Sequence, residues 1–334
     1  MDKKQQPKKH HYVPQCYLKN FTVNNQLYVL DIRKVQKGYK EVPTLRHTAS
    51  ICYFPNYYTI ADHMGSVEFQ LNTYDSLHIE REVLSHLENK YGKIYEKISR
   101  SIILQLQDAI DLIDFIIQLK LRNPYWMEET LKKKKDKLID SAMDGLDFSK
   151  YSEDPRFEHI PQQVLMAIAD AVKDTNKSNP TFSKEMQLFS LIQRSSTNEN
   201  RNEIFRLPLI DYKWTIYEAP EHGPYFITSD NPGYSLKPND DKTYNTNYSH
   251  PFEFFFPLSS KLCLVISSQE KDHSYTNKSS QKIYQRKMAP ANKVIDINNA
   301  SMQCITNLLI ATDTWYLSKV AELNSPKNKK NIRS

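Results

Sequence analysis

Glycine is scarce in this chain, with six in 334 positions, well under the usual ~7%. Gly38, Gly65, Gly92, Gly145, Gly223 and Gly233 stand apart from one another. A Walker loop or a dinucleotide fingerprint needs clustered glycines so that backbone amides can approach a phosphate. P-loop NTPase, kinase and NAD dehydrogenase readings are therefore excluded, and no nucleotide cofactor is expected. Cysteine is scarce too: Cys16, Cys52, Cys263 and Cys304 are far apart and form no CxxC, which argues against a disulfide framework or a zinc knuckle. Long apolar runs are missing. The most apolar window, residues 101–121, is interrupted by Asp108, Asp111 and Asp114, and the first lysines lead into no apolar signal region. The reading is a cytoplasmic protein with no membrane partner.

What is present is basic charge, unevenly placed. The net charge is +6, with Lys3, Lys4, Lys8 and Lys9 near the start, a run from Lys132 to Lys135, and Lys327, Lys329, Lys330 and Arg333 at the end. Such tails add salt-sensitive attraction to nucleic acid or acidic surfaces; a plain solvated tail explains the same charge. No feature specifies a protein partner. Hydrophobic residues make up 39%, yet a chain of this length can bury about 75% of the surface its unfolded form exposes.

Periodicity divides the chain into a helical and a strand-rich half. Gln26–Ile32 reads as a short strand after an Asn24-Asn25 turn. From Ser66 to Arg100, Leu77, Leu84, Leu87, Tyr91, Ile94 and Ile98 recur at three- and four-residue steps, predicting an amphipathic helix with an early break. Residues 108–122 are apolar in every direction, as in a helix surrounded by protein, and Pro124 stops it. Further helices are expected at 127–143, 161–172 and 184–194. Strands are expected at 205–218, 224–228, 252–257 and 261–267, then a closing helix at 296–311 and a strand at 314–317. The expected fold is α+β, a helical N-terminal half with a central buried helix, packed on a mainly antiparallel sheet from the C-terminal half. Basic disordered tails are expected at 1–9 and 324–334, flanking a single domain over 10–323 with a variable helical region at about 126–200.

The densest chemistry lies in Lys8-Lys9-His10-His11-Tyr12-Val13-Pro14-Gln15-Cys16-Tyr17-Leu18. In an extended segment the two rings face opposite sides, and Val13-Pro14 stiffens the residues just after them. An imidazole so held suits general-base or metal-ligand work; a hydrogen-bonded buried arm is the plainer alternative. Arg122 lies one helical turn beyond Gln118 on the central helix. A buried guanidinium needs an acid, and Glu82, Glu88 and Asp230 are the candidates. Ser229-Asp230-Asn231-Pro232 comes after an apolar strand. Asp230 could hold a divalent metal or orient a histidine, although Asp, Asn and Pro also make an ordinary turn. Tyr53, Phe54, Tyr57 and Tyr58 could stack bases or pack as core. No HExxH or GxSxG motif accompanies these residues.

The histidine opening, Ile227-Thr228-Ser229-Asp230-Asn231-Pro232 and Phe256-Pro257-Leu258-Ser259 resemble, in that order, the motifs of the bacterial family known as domain-of-unknown-function family 4238. Gly233 departs from the aliphatic residue usual after the proline. The paired histidines before Val-Pro also resemble the first element of HNH-type nucleases, partially, since Asn24 or Asn25 would have to serve downstream. Two functional readings remain open. In the first, the chain is a metal-dependent phosphodiester hydrolase of the kind found among bacterial defence or mobile-element genes. His11 is then the base, His10 and Asp230 are metal ligands, Arg122 stabilises charge, and Gln15, Gln118, Ser229 and Asn231 bind substrate. In the second, it is a non-catalytic nucleic-acid- or protein-recognition module whose histidine, arginine and aspartate residues form a structural hydrogen-bond network.

Overall fold

The computed structural model describes residues 9–323, apart from 62–63, 65–69, 146–159, 194–207 and the single positions 239, 241, 247 and 275. The class is α+β. The expected tails lie outside the described residues except Lys9, which belongs to the strand Lys9–His11.

The centre is the helix Leu106–Arg122. Its Ala109, Leu112, Ile113, Phe115, Ile116 and Leu119 are at most 1% exposed, so one apolar side chain after another forces protein around every face. Packed beside it is the helix Ser85–Arg100, whose buried stripe is Leu87, Tyr91, Ile94 and Ile98. Tyr91 stacks on Phe115 with ring centroids 4.2 Å apart. The early break is a π-helical turn, Ile79–Leu84, that runs straight into that helix. The region 126–200, where described, is helical: Met127–Lys132, Lys135–Asp144, Gln162–Ser178 and Phe182–Gln193.

A six-stranded sheet from the C-terminal half runs in the order Gln285–Met288, Tyr212–Glu218, Leu262–Lys271, Glu253–Pro257, Tyr234–Leu236, Thr243–Tyr244. All its pairings are antiparallel except the first. Phe254, Phe256, Leu264 and Trp214 from this sheet enter the same core as the central helix. A second sheet joins distant parts of the chain, in the order Thr44–His47, Gln26–Asp31, Leu308–Ala311, Thr228–Ser229.

The structure corrects the end of the chain. The helix expected at 296–311 is instead Ala291–Ser301, starting just after Pro290, and Leu308–Ala311 is a strand. Four apolar residues read equally as helix or strand. Pairing on both edges, with Gln26–Asp31 and with Thr228–Ser229, decides for strand. The strand expected at 314–317 is the start of the helix Trp315–Leu323, whose first amide is held by the Asp313 carboxylate at 2.9 Å. Of the strand expected at 224–228, only Thr228 is in a strand, the two-residue Thr228–Ser229.

Candidate functional site

Central helix, histidine segment and Asp230 turn meet where the helix ends. Arg122 is 2% exposed. Its Nη1 donates to Glu88 Oε1 at 2.7 Å and its Nη2 donates to the His11 carbonyl. The adjacent Asn123 donates from Nδ2 to the Asp230 carbonyl at 2.7 Å, and its Oδ1 accepts from the Tyr125 amide at 2.9 Å. The contacts that join the three segments are thus made to main-chain carbonyls, while the Asp230 side chain is turned elsewhere.

Asp230 is fully buried. Oδ1 accepts from the Thr306 amide at 2.9 Å, and Oδ2 from the Asn307 and Leu308 amides at 2.7 and 3.1 Å. Burial raises its pKa to about 6, against the lowering by these three amides. The carboxylate therefore acts as an anchor for the loop that enters the strand Leu308–Ala311.

His10 is also fully buried. Its Nδ1 accepts the Tyr58 amide proton at 2.9 Å, which assigns the proton of the neutral ring to Nε2. Glu80 Oε1 lies 3.6 Å from that same Nδ1. Two facing acceptors repel unless one carries a proton, and burial pushes the Glu80 carboxyl up to about 7, helped by Glu88 and opposed by Arg122. The Tyr58 hydroxyl closes the network by donating to the Arg122 carbonyl at 2.7 Å.

His11 is half-buried, and its pKa is lowered by burial and then by Arg122. Its Nε2 is shielded from water and has no hydrogen-bond partner among the described residues. Gln15 accepts from Thr48 Oγ1 at 3.2 Å, and Gln118 donates to the Val83 carbonyl at 3.0 Å. Ser229 Oγ accepts the Asn231 amide proton, and Asn231 donates to the Cys304 carbonyl. Of the two acids proposed for Arg122 from the acidic helix, Glu88 pairs with it and Glu82 is exposed. Among the described residues no three His, Cys, Asp or Glu side chains gather as a metal site.

Three members of the network escaped the sequence reading. Asn123 stands in the Leu121-Arg122-Asn123-Pro124 stretch and Glu80 among the acids of the preceding helix, but sequence pattern assigns neither a contact. Lys120 gave the clearest signal, a lysine inside a helix apolar on all sides. It is 2% exposed and bonds Asn231 Oδ1 at 3.3 Å, Asn245 Oδ1 at 2.8 Å and the Gly233 carbonyl. Burial lowers its pKa to about 7.

Beside this sealed network lies an open cleft of about 770 Å³. Tyr12, Phe54, Tyr57 and Tyr125 supply aromatic walls, with Tyr12 stacked on Phe54 at 5.3 Å and Phe54 tilted against Tyr57 at 5.3 Å. Arg33, Glu128 and Glu129 add charge, and Thr306 and Asn307, whose amides hold Asp230, complete the lining. Segments of the network thus contribute neighbouring residues to one concave surface: Tyr12 comes directly after the histidines, and Pro124 and Tyr125 directly after Asn123.

No curated protein and no solved structure matches the chain. A family model does: it covers residues 9–314, from the histidine strand to the last sheet strand and beyond, and by that match the chain belongs to the family described as protein of unknown function DUF4238.

Proposed function

We propose that the chain is a non-catalytic recognition module, in which the histidine, arginine and aspartate network is the frame and the aromatic cleft is the contact surface. The observation that supports this reading is the commitment of the polar atoms that a metal would need on Asp230 and on His10 Nδ1. Both Asp230 carboxylate oxygens are taken by three backbone amides and the His10 Nδ1 lone pair by the Tyr58 amide. Of the cleft residues, in contrast, Arg33, Phe54 and Glu128 are exposed and Tyr57, Tyr125 and Glu129 half-buried, while Tyr12 is buried. The alternative, a metal-dependent phosphodiester hydrolase with metal ligands at His10 and Asp230, needs those two residues to present the same atoms to a metal, which would dismantle the frame; His11 Nε2, in contrast, has no partner among the described residues. The working compartment on this reading is the cytoplasm, where four free thiols, three of them buried, stay reduced.

The test is two measurements on purified protein. Incubation with single- and double-stranded DNA and RNA and added magnesium or manganese should give no hydrolysis above a protein-free control. Asp230→Asn should lower the melting temperature, since the anchor for three amides loses its charge; replacing a catalytic carboxylate commonly leaves stability unchanged or raised. Hydrolysis that disappears in both His11→Ala and Asp230→Asn would establish the hydrolase reading instead.

A further inference from the structure

We propose that the cleft binds a cationic side chain, a lysine or arginine carried on an extended segment of a protein partner. The inference rests on the recognition reading above and names its ligand. Two independent features of the lining agree.

The first is the rings. Tyr12, Phe54 and Tyr57 form a continuous aromatic run, with Tyr125 in the same lining. The negative face of an aromatic ring attracts an ammonium or guanidinium within ~6 Å of its centroid. The molecule already uses its rings this way: Lys184 Nζ lies 3.5 Å from the Tyr57 centroid and takes one face of that cleft ring, and Lys9 Nζ lies 4.5 Å from the centroid of Tyr53 outside the lining.

The second is charge. Glu128 and Glu129 line the cleft against the single cation Arg33. Their ion pairs with Lys132 and Lys133 are made at four-residue spacing between exposed side chains, and such surface pairs are weak enough to exchange for a better-placed cation. With Lys132 and Lys133 swung away, the lining holds two carboxylates and one guanidinium, a balance that favours a cationic ligand.

The volume, about 770 Å³, is that of a ligand site for several groups and leaves room for peptide backbone on either side of the cation.

The experiment is calorimetric titration of the full chain with a short, end-blocked lysine-serine repeat peptide, the same peptide with every lysine acetylated, and a single-stranded oligothymidylate. The lysine peptide should bind, acetylation should abolish binding, and Phe54→Ala or the double variant Glu128→Gln/Glu129→Gln should weaken it about tenfold. Glu96→Gln, an exposed acid elsewhere, should leave it unchanged, and circular dichroism of each variant should show an unaltered fold. Equal binding of the acetylated peptide, indifference to the cleft variants, or failure of the lysine peptide to bind would overturn the proposal while leaving the non-catalytic reading intact. Oligothymidylate binding that weakens on Arg33→Gln would overturn it in favour of a phosphate site. Hydrolysis lost in Asp230→Asn would instead remove the recognition reading on which the proposal stands.

Discussion

Arg122 and Asn123, neighbours at the end of the central helix, hold opposite parts of the chain: the first donates to the carbonyl of His11 and the second to that of Asp230. Asn123 also caps the next turn through Tyr125. Replacing Asn123 with Ala leaves a buried carbonyl and a buried amide without partners, and should cost about 2–4 kcal/mol, read as a lower urea midpoint at unchanged slope.

The acidic partner of Arg122 makes a paired prediction. Glu88→Ala leaves a buried guanidinium short of its counter-charge and should destabilise by about 3 kcal/mol. Glu82→Ala, on the same helical run but exposed, should change stability by less than about 0.5 kcal/mol. Equal effects in urea unfolding would mean that Glu88 is not the clamp.

Glu80 predicts a pH dependence. Its pKa, raised by burial to about 7, makes the folded state hold a proton that the unfolded chain releases near the ordinary carboxylate value. The resulting stabilisation is full below the unfolded pKa and is lost as pH rises through about 7. Glu80→Gln keeps the neutral shape without the titration, so the difference in unfolding free energy between variant and parent should grow in the variant's favour between about pH 5 and 8, by on the order of 2 kcal/mol.

Lys120 tilts the other way. With its pKa lowered by burial to about 7, the folded state binds fewer protons than the unfolded chain between that value and the ordinary lysine range, so its contribution becomes more favourable as pH rises across that window. Relative to Lys120→Met, the parent should gain stability between about pH 7 and 9.5; a constant difference would show that the amine stays charged throughout.

Two glycines separate steric need from convenience. A Cβ at Gly233 would lie 2.8 Å from Phe256 Cδ2 and 3.0 Å from the Phe255 carbonyl, at φ +79°. Gly92 sits in the helix Ser85–Arg100 with nothing within 4 Å. Gly233→Ala should destabilise by about 2 kcal/mol or more, and Gly92→Ala should stabilise by about 0.5–1 kcal/mol, both measurable by thermal unfolding.

These glycines also mark what a lone sequence conveys. Gly233 was legible as a departure from the family pattern, yet its cause, the close pass of Phe255 and Phe256, is a tertiary fact. Local pattern located the central helix, expected at 108–122 and found at Leu106–Arg122, and the strand Glu253–Pro257, expected at 252–257. It failed at Leu308–Ala311, where only the neighbouring strands decide the conformation. In the site, residue types and order suggested that the histidine arm, Arg122 and Asp230 would meet. Which atoms meet was not legible: the segments join through carbonyls, and the Asp230 side chain faces the loop at 306–308. Orientation of that kind depends on packing from elements distant in the chain, as does the choice of Glu88 over Glu82.

The strand Leu308–Ala311 seals a sheet that Gln26–Asp31 opens. During synthesis the early strand therefore leaves the ribosome without its mate on that side and must wait, with Leu30 and Val29 awaiting cover, until the whole stretch between the two strands has emerged. Completion of this sheet is then a late event, and the interval before it is when the nascent protein most needs protection from self-association.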